Sequence, residues 1–67
     1  MTKTFYQFVQ TFRGGSDAFA YFAEAAFEDP SFPKQSTDFN ELSDYVEMQQ
    51  DSYMTTAVFD ALWALYA

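Results

Sequence analysis

The sequence predicts an all-α fold, a compact bundle of four helices built by one domain over residues 1–67. Three observations carry that expectation. Apolar residues recur at helical spacing in four segments, each segment has a good N-cap residue at its start, and Gly or Pro separates most of them. No period-2 stretch is long enough for a sheet, and no internal repeat or low-complexity tract appears.

In the first segment Phe5, Phe8, Val9 and Phe12 fall within one arc at about 100° per residue. Thr4 with Gln7 three residues on resembles a capping box. Gly14-Gly15 closes this helix, because Gly readily takes the left-handed conformation past a helix end. Ser16 or Asp17 caps the second helix, whose core face carries Ala18, Phe19, Phe22, Ala23 and Ala26, with Glu24 and Glu28 turned away. Pro30 disfavours the α conformation at Asp29, so the helix ends about there.

Pro33 likewise pushes Phe32 towards an extended conformation, and residues 30 to 36 read as loop. Ser36, Thr37 and Asp38 are all N-cap types, and Asp38 has Glu41 three residues on. The third helix is expected from Phe39 to Gln50, with Phe39, Leu42, Tyr45 and Val46 on one face. Asp51 or Ser52 is expected to open the fourth helix, which runs to Tyr66, with a short added turn around residues 50 to 53 as a variant. Met54, Val58, Ala61, Leu62 and Leu65 form one stripe and Phe59, Trp63 and Tyr66 an adjacent one. A helix apolar over more than half its circumference is expected to be the most enclosed of its bundle.

A chain of 67 residues is near the lower limit for folding alone, and it has no Cys for disulfide staples. Nine Phe, five Tyr and one Trp supply the burial instead, since each aromatic removes a large area from water. The formal net charge is −7, with ten acids against Lys3, Arg13 and Lys34. Phosphate neutralisation by Lys and Arg supplies most non-specific nucleic-acid affinity, so a nucleic-acid ligand is a poor fit, and so is an anionic membrane. The N-terminus is too polar for a signal peptide, and no apolar run approaches the roughly 18 residues of a membrane span. A cytoplasmic protein, monomeric or weakly homodimeric, is the expectation.

Chemistry finds little support. Asp38, Glu41, Asp44 and Glu47 step round the third helix by about 60° each, so they fan out as a solvated acidic face instead of converging on a metal. There is no His or Cys to serve as base, thiolate nucleophile or soft ligand, and no EF-hand or Walker pattern. No catalytic, cofactor-binding or metal-binding residue is assigned, and the protein is not expected to be an enzyme.

Four residues are candidates for partner binding: Phe32, Lys34, Trp63 and Tyr66. Phe32, between two prolines, is either a loop anchor in the core or an exposed hook. The anchor is the favoured reading, with the ring pinned between the second and third helices. Lys34 is the sole cation of the second half of the chain, and its plain role is pairing with an acid such as Asp38. The Phe59–Trp63–Tyr66 stripe is either a second core layer or a docking patch. Core is favoured for Phe59 and Trp63, and Tyr66 stays open between the two.

The order "FY", "ED", "SFPK", "STDFNELSDYVE" and "FDALWALY" resembles the YozE-like family, short bacterial proteins of uncharacterised function with a fold similar to the sterile alpha motif (SAM). The resemblance spans nearly the whole chain and is most specific from Asp29 to Glu47. Phe5, Tyr6, Phe32, Pro33, Lys34, Asp38, Glu41, Ser43, Tyr45, Glu47, Phe59, Asp60, Trp63 and Tyr66 carry it. Relatives often have a longer, more basic loop where this chain has "RGGSD", a departure that counts further against nucleic acid. The resemblance implies a four-helix SAM-like bundle, and for function only an analogy, since SAM-like domains commonly mediate protein contacts and some bind RNA. The expected role is a protein-interaction module that meets a partner bearing basic residues through an aromatic patch rimmed by acids. The alternative is a nucleic-acid-associated regulatory protein.

Overall fold

Local hydrogen bonding decides where each helix starts. In a computed structural model of the chain, which describes residues 3–67, the helices are α1 (Phe5–Gln10), α2 (Ala18–Glu28), α3 (Phe39–Gln49) and α4 (Thr56–Tyr66), with no strand among the described residues. Met1 and Thr2, the first two residues of the expected 1–67 domain, lie outside the described residues. Thr4 Oγ1 accepts from the Gln7 N–H at 3.2 Å while Gln7 Oε1 accepts from the Thr4 N–H at 3.0 Å, the reciprocal box that the sequence suggests. Asp17 caps α2 through the Ala20 N–H and Asp38 caps α3 through the Glu41 N–H, each at 2.9 Å.

Helix α2 ends where Pro30 predicts, whereas α1 stops at Gln10 with Thr11 as its C-cap, short of the Gly14-Gly15 pair expected to close it. After Gln10 the chain tightens into turns in which Phe12 and Arg13 donate to the carbonyls three residues back. Gly14 follows at φ +92°, a conformation only glycine adopts without strain. Gly15 has a separate role: a Cβ there would stand 3.3 Å from the Ala20 Cβ, so its bareness lets the turn close on the first turn of α2. Asp29 is extended at φ −94°, ψ 107°, as Pro30 requires.

One boundary is corrected. Asp51 and Ser52 do not open the last helix; Thr55 does, accepting from the Val58 N–H at 3.2 Å. Asp51 Oδ1 is spent on a separate turn, accepting from the N–H groups of Tyr53 and Met54, and Gln50 reaches it through a left-handed φ of 49°. Met54 is therefore buried from a turn and not from a helix.

Phe5, Val9, Phe22, Ala23, Ala26, Phe32, Leu42, Val46, Met54, Phe59 and Leu62 make one contiguous core, and among the described residues no polar side chain is buried in it. Phe5 sits at its centre, edge-on to Phe22, Phe59 and Tyr66 at ring separations of 6.4, 5.1 and 5.6 Å. Such pairs add about 0.5–1.5 kcal/mol each beyond their burial. On α2 the buried face includes Ala20 in place of Ala18, which is exposed. On α4 Ala61 and Leu65 also turn outward, Leu65 at 58 % exposure, so the second stripe, led by Phe59, faces the core more fully than the first.

Helix α4 packs against each of the other three helices, yet it buries only Phe59 and Leu62, whereas α2 buries Ala20, Phe22, Ala23 and Ala26, so α2 and not α4 is the more enclosed helix. Helix α1 also packs on α2, while α3 packs among the helices on α4 alone. The gap between α3 and the α1–α2 pair is filled by the 29–38 loop. Phe32, 4 % exposed, has the Tyr6 ring of α1 on one side and the Tyr45 ring of α3 on the other, both at 5.6 Å. The anchor reading holds, but its walls are α1 and α3 where α2 and α3 were expected. The Tyr45 hydroxyl donates to Asp29 Oδ2, tying α3 to the end of α2.

Candidate interaction surface

Six aromatic side chains, none fully buried, run in an unbroken ribbon across all four elements of the bundle. From the start of α3 they are Phe39, Trp63 and Tyr66 of α4, Phe8 of α1, Phe12 of the following turn, and Phe19 of α2. Consecutive ring centroids are 5.3, 5.1, 5.6, 5.5 and 5.4 Å apart. Phe39 is the most open, at 39 % exposure. The ribbon exists because α1 and α4 each carry more aromatic surface than one core can enclose. Phe5 and Phe59 take the interior and their helical neighbours Phe8, Trp63 and Tyr66 are left at the boundary.

The four candidate partner-binding residues fall in different places. Phe32 is in the core. Trp63 and Tyr66 are half-buried members of the ribbon, and the Tyr66 hydroxyl donates to the Lys3 carbonyl at 2.6 Å, holding the N-terminal segment against the end of α4. Lys34 is half-buried beside Phe32's neighbour Tyr6, its Nζ 5.5 Å from that ring centroid, in a weak cation–π contact that replaces the expected pairing with Asp38. So Trp63 and Tyr66 are brought together, while Phe32 and Lys34 belong to the loop anchor.

Asp38, Glu41, Asp44 and Glu47 are all exposed, as a solvated fan should be. Two of them work locally: Asp38 as the α3 cap, and Glu41 as acceptor of the Ser36 hydroxyl at 2.6 Å. Of the few cations, Arg13 is engaged on the α1–α2 side, with Nε 3.3 Å from Glu24 Oε2 and its guanidinium 3.6 Å above the Phe27 ring. The Tyr45 phenol is pushed up to about 12, first by burial and then by its hydrogen bond to Asp29 and that carboxylate's charge.

A second exposed aromatic feature has no counterpart in the sequence reading. Tyr21 of α2 and Tyr53 of the 51–54 turn meet with ring centroids 5.4 Å apart and planes tilted by 50°, 45 % and 59 % exposed, beside an open cleft of about 500 Å³. The pair lies 32 positions apart in the chain (53 minus 21), and only the packing of the turn against α2 joins them. No helix among the described residues is long and apolar enough to cross a membrane.

Comparison with known proteins adds the family. Residues 4–67 match the family described as having a YozE SAM-like fold, in keeping with the four helices seen. A UPF0346 protein of Lactiplantibacillus plantarum is 52 % identical over 68 residues, covering 98 % of this chain and 93 % of its own. Similar proteins of Staphylococcus haemolyticus (49 % identical; 94 % of this chain, 86 % of theirs) and Geobacillus kaustophilus (48 %; 94 % and 90 %) carry the same UPF0346 designation. No solved structure matches the chain.

Proposed function

We propose that this chain, which belongs to the YozE SAM-like family, is a small cytoplasmic protein-interaction module that docks a protein partner through its aromatic ribbon. The observation that carries the reading is the ribbon's continuity: six rings from the four helices and the turn after α1 follow one another along one boundary of the core. Trp and Tyr with a wet edge and a packed face are the side chains that dominate interface energetics. The −7 charge favours a partner with basic residues, because opposite potentials speed encounter and like charges across an interface are costly. A role in binding, and not in catalysis, suits the absence of any His or Cys from the sequence.

The alternative, a nucleic-acid-associated regulator, would need cations beside the rings to neutralise phosphates. The chain offers Lys3, Arg13 and Lys34, and two of these already lie over Phe27 and Tyr6. The docking reading is tested by tagged capture from native lysate with crosslinking, comparing the parent with Phe19→Ala and Phe39→Ala. Both positions are partly exposed, so both variants should keep the parent's circular dichroism. Loss of the captured partner in the folded variants supports the ribbon. Undiminished capture in both refutes it.

A further inference from the structure

We infer that the cleft beside Tyr21 and Tyr53 is a seat for the cationic side chains of a basic peptide segment, Arg or Lys, belonging to the partner. This deepens the docking reading and rests on it, but it concerns a surface separate from the ribbon. The cleft lies between the C-terminal half of α2 and the 51–53 turn, and Glu24, Glu28, Asp29 and Asp51 line it together with the two tyrosines. Among the described residues no basic side chain lines it. The carboxylates are not equivalent. Asp29 is occupied at both oxygens, by the Ser31 N–H at 3.0 Å and by the Tyr45 hydroxyl. Glu24 gives Oε2 to Arg13, and Asp51 gives Oδ1 to its own turn. Glu24 Oε1, Asp51 Oδ2 and both oxygens of Glu28 carry no hydrogen bond among the described residues.

Those oxygens stand beside two exposed rings in contact, tilted 50° to each other, and aromatic faces attract cations through their quadrupoles. Carboxylates and ring faces on one concave wall are complementary to an extended chain carrying planar guanidinium or ammonium heads, and to nothing acidic. The tyrosines hold this geometry for a local reason. Asp51 fixes the turn that presents Tyr53, and Met54, the next residue, is buried 2 % exposed and anchors that turn to the core.

The test uses the full chain and a fluorescein-labelled peptide of alternating arginine and serine, with fluorescence anisotropy at about 0.15 M salt and backbone NMR shift mapping. Binding should map to Tyr21, Glu28 and Tyr53. Tyr53→Ala should weaken it about two- to fivefold, and the Tyr21→Ala/Tyr53→Ala pair about tenfold. Glu28→Gln should weaken it about threefold, whereas Asp60→Asn, which removes the same charge from an exposed site on α4, should leave it within about a factor of 1.5. Circular dichroism checks that each variant is folded. Equal weakening by Asp60→Asn would mean diffuse attraction to an acidic protein and would overturn the seat. So would shifts confined to the ribbon, no binding of the peptide, or binding of spermine there without the peptide. None of these decides the ribbon, which stands or falls on capture by the Phe19 and Phe39 variants.

Discussion

Removing the Phe32 ring should leave the protein barely folded. The side chain is 4 % exposed and is the one loop residue in the core between α1 and α3, helices that do not otherwise pack together. Phe→Ala at such a site costs about 3–5 kcal/mol in lost transfer energy and cavity formation. Relaxation cannot recover much, because Pro30 and Pro33 on either side restrict the backbone and Tyr6 and Tyr45 are held by their own helices. At about 0.05–0.15 kcal/mol per residue, the whole chain has only about 3–10 kcal/mol of stability. Thermal melts followed by far-UV circular dichroism read this directly. For a domain of this size 1 kcal/mol moves Tm by about 4–8 °C, so Phe32→Ala should lower it by at least about 12 °C or abolish the transition. Lys34→Ala, which removes a cation–π contact at 5.5 Å on the same loop, should cost less than about 1 kcal/mol. A Phe32→Ala melt within about 4 °C of the parent would refute the anchor and return the loop to the hook reading.

Three further outcomes follow from particular contacts. The folded Tyr45 phenol titrates near 12 against about 10 unfolded, so its protonated form stabilises the fold fully below pH 10, and that contribution is lost as pH rises through about 12. Urea unfolding should therefore show the parent losing more stability than Tyr45→Phe between pH 10 and 12; parallel losses would mean that the phenol does not gain by folding. Asp38→Ala should cost about 1 kcal/mol through the lost cap, while Glu47→Gln on the exposed face should change stability by only a few tenths; magnesium or calcium should not move the parent's melt, and a large rise would show that the acids converge. Labelled duplex DNA and RNA should give no anisotropy change at physiological salt, since three cations cannot offset ten acids; micromolar binding with a steep salt slope would promote the regulatory alternative.

The start of three helices and the end of α2 were legible in the residues because each is settled within about four positions. Thr4, Asp17 and Asp38 meet N–H groups three residues on, and Pro30 excludes the helical conformation before it, whereas the positive φ of Gly14 closes the turns that follow α1 and not the helix itself. The same locality explains the error at α4. Asp51 and Thr55 are both competent caps, and the choice between them turns on Met54, which reaches the core from a turn. Periodicity placed Phe5, Val9, Phe22, Leu42, Val46, Phe59 and Leu62 on apolar faces, yet it could not rank two apolar stripes on one helix or tell Ala18 from Ala20. That ranking depends on what lies opposite, and opposite surfaces come from distant sequence. Hence the tertiary structure alone decided that Leu65 faces water, that Tyr45 reaches Asp29, that six rings form a ribbon, and that Tyr21 meets Tyr53. Caps and breaks are hydrogen-bond and steric matters of a few neighbouring residues, whereas surfaces are made by packing, which brings together side chains with no relation along the chain.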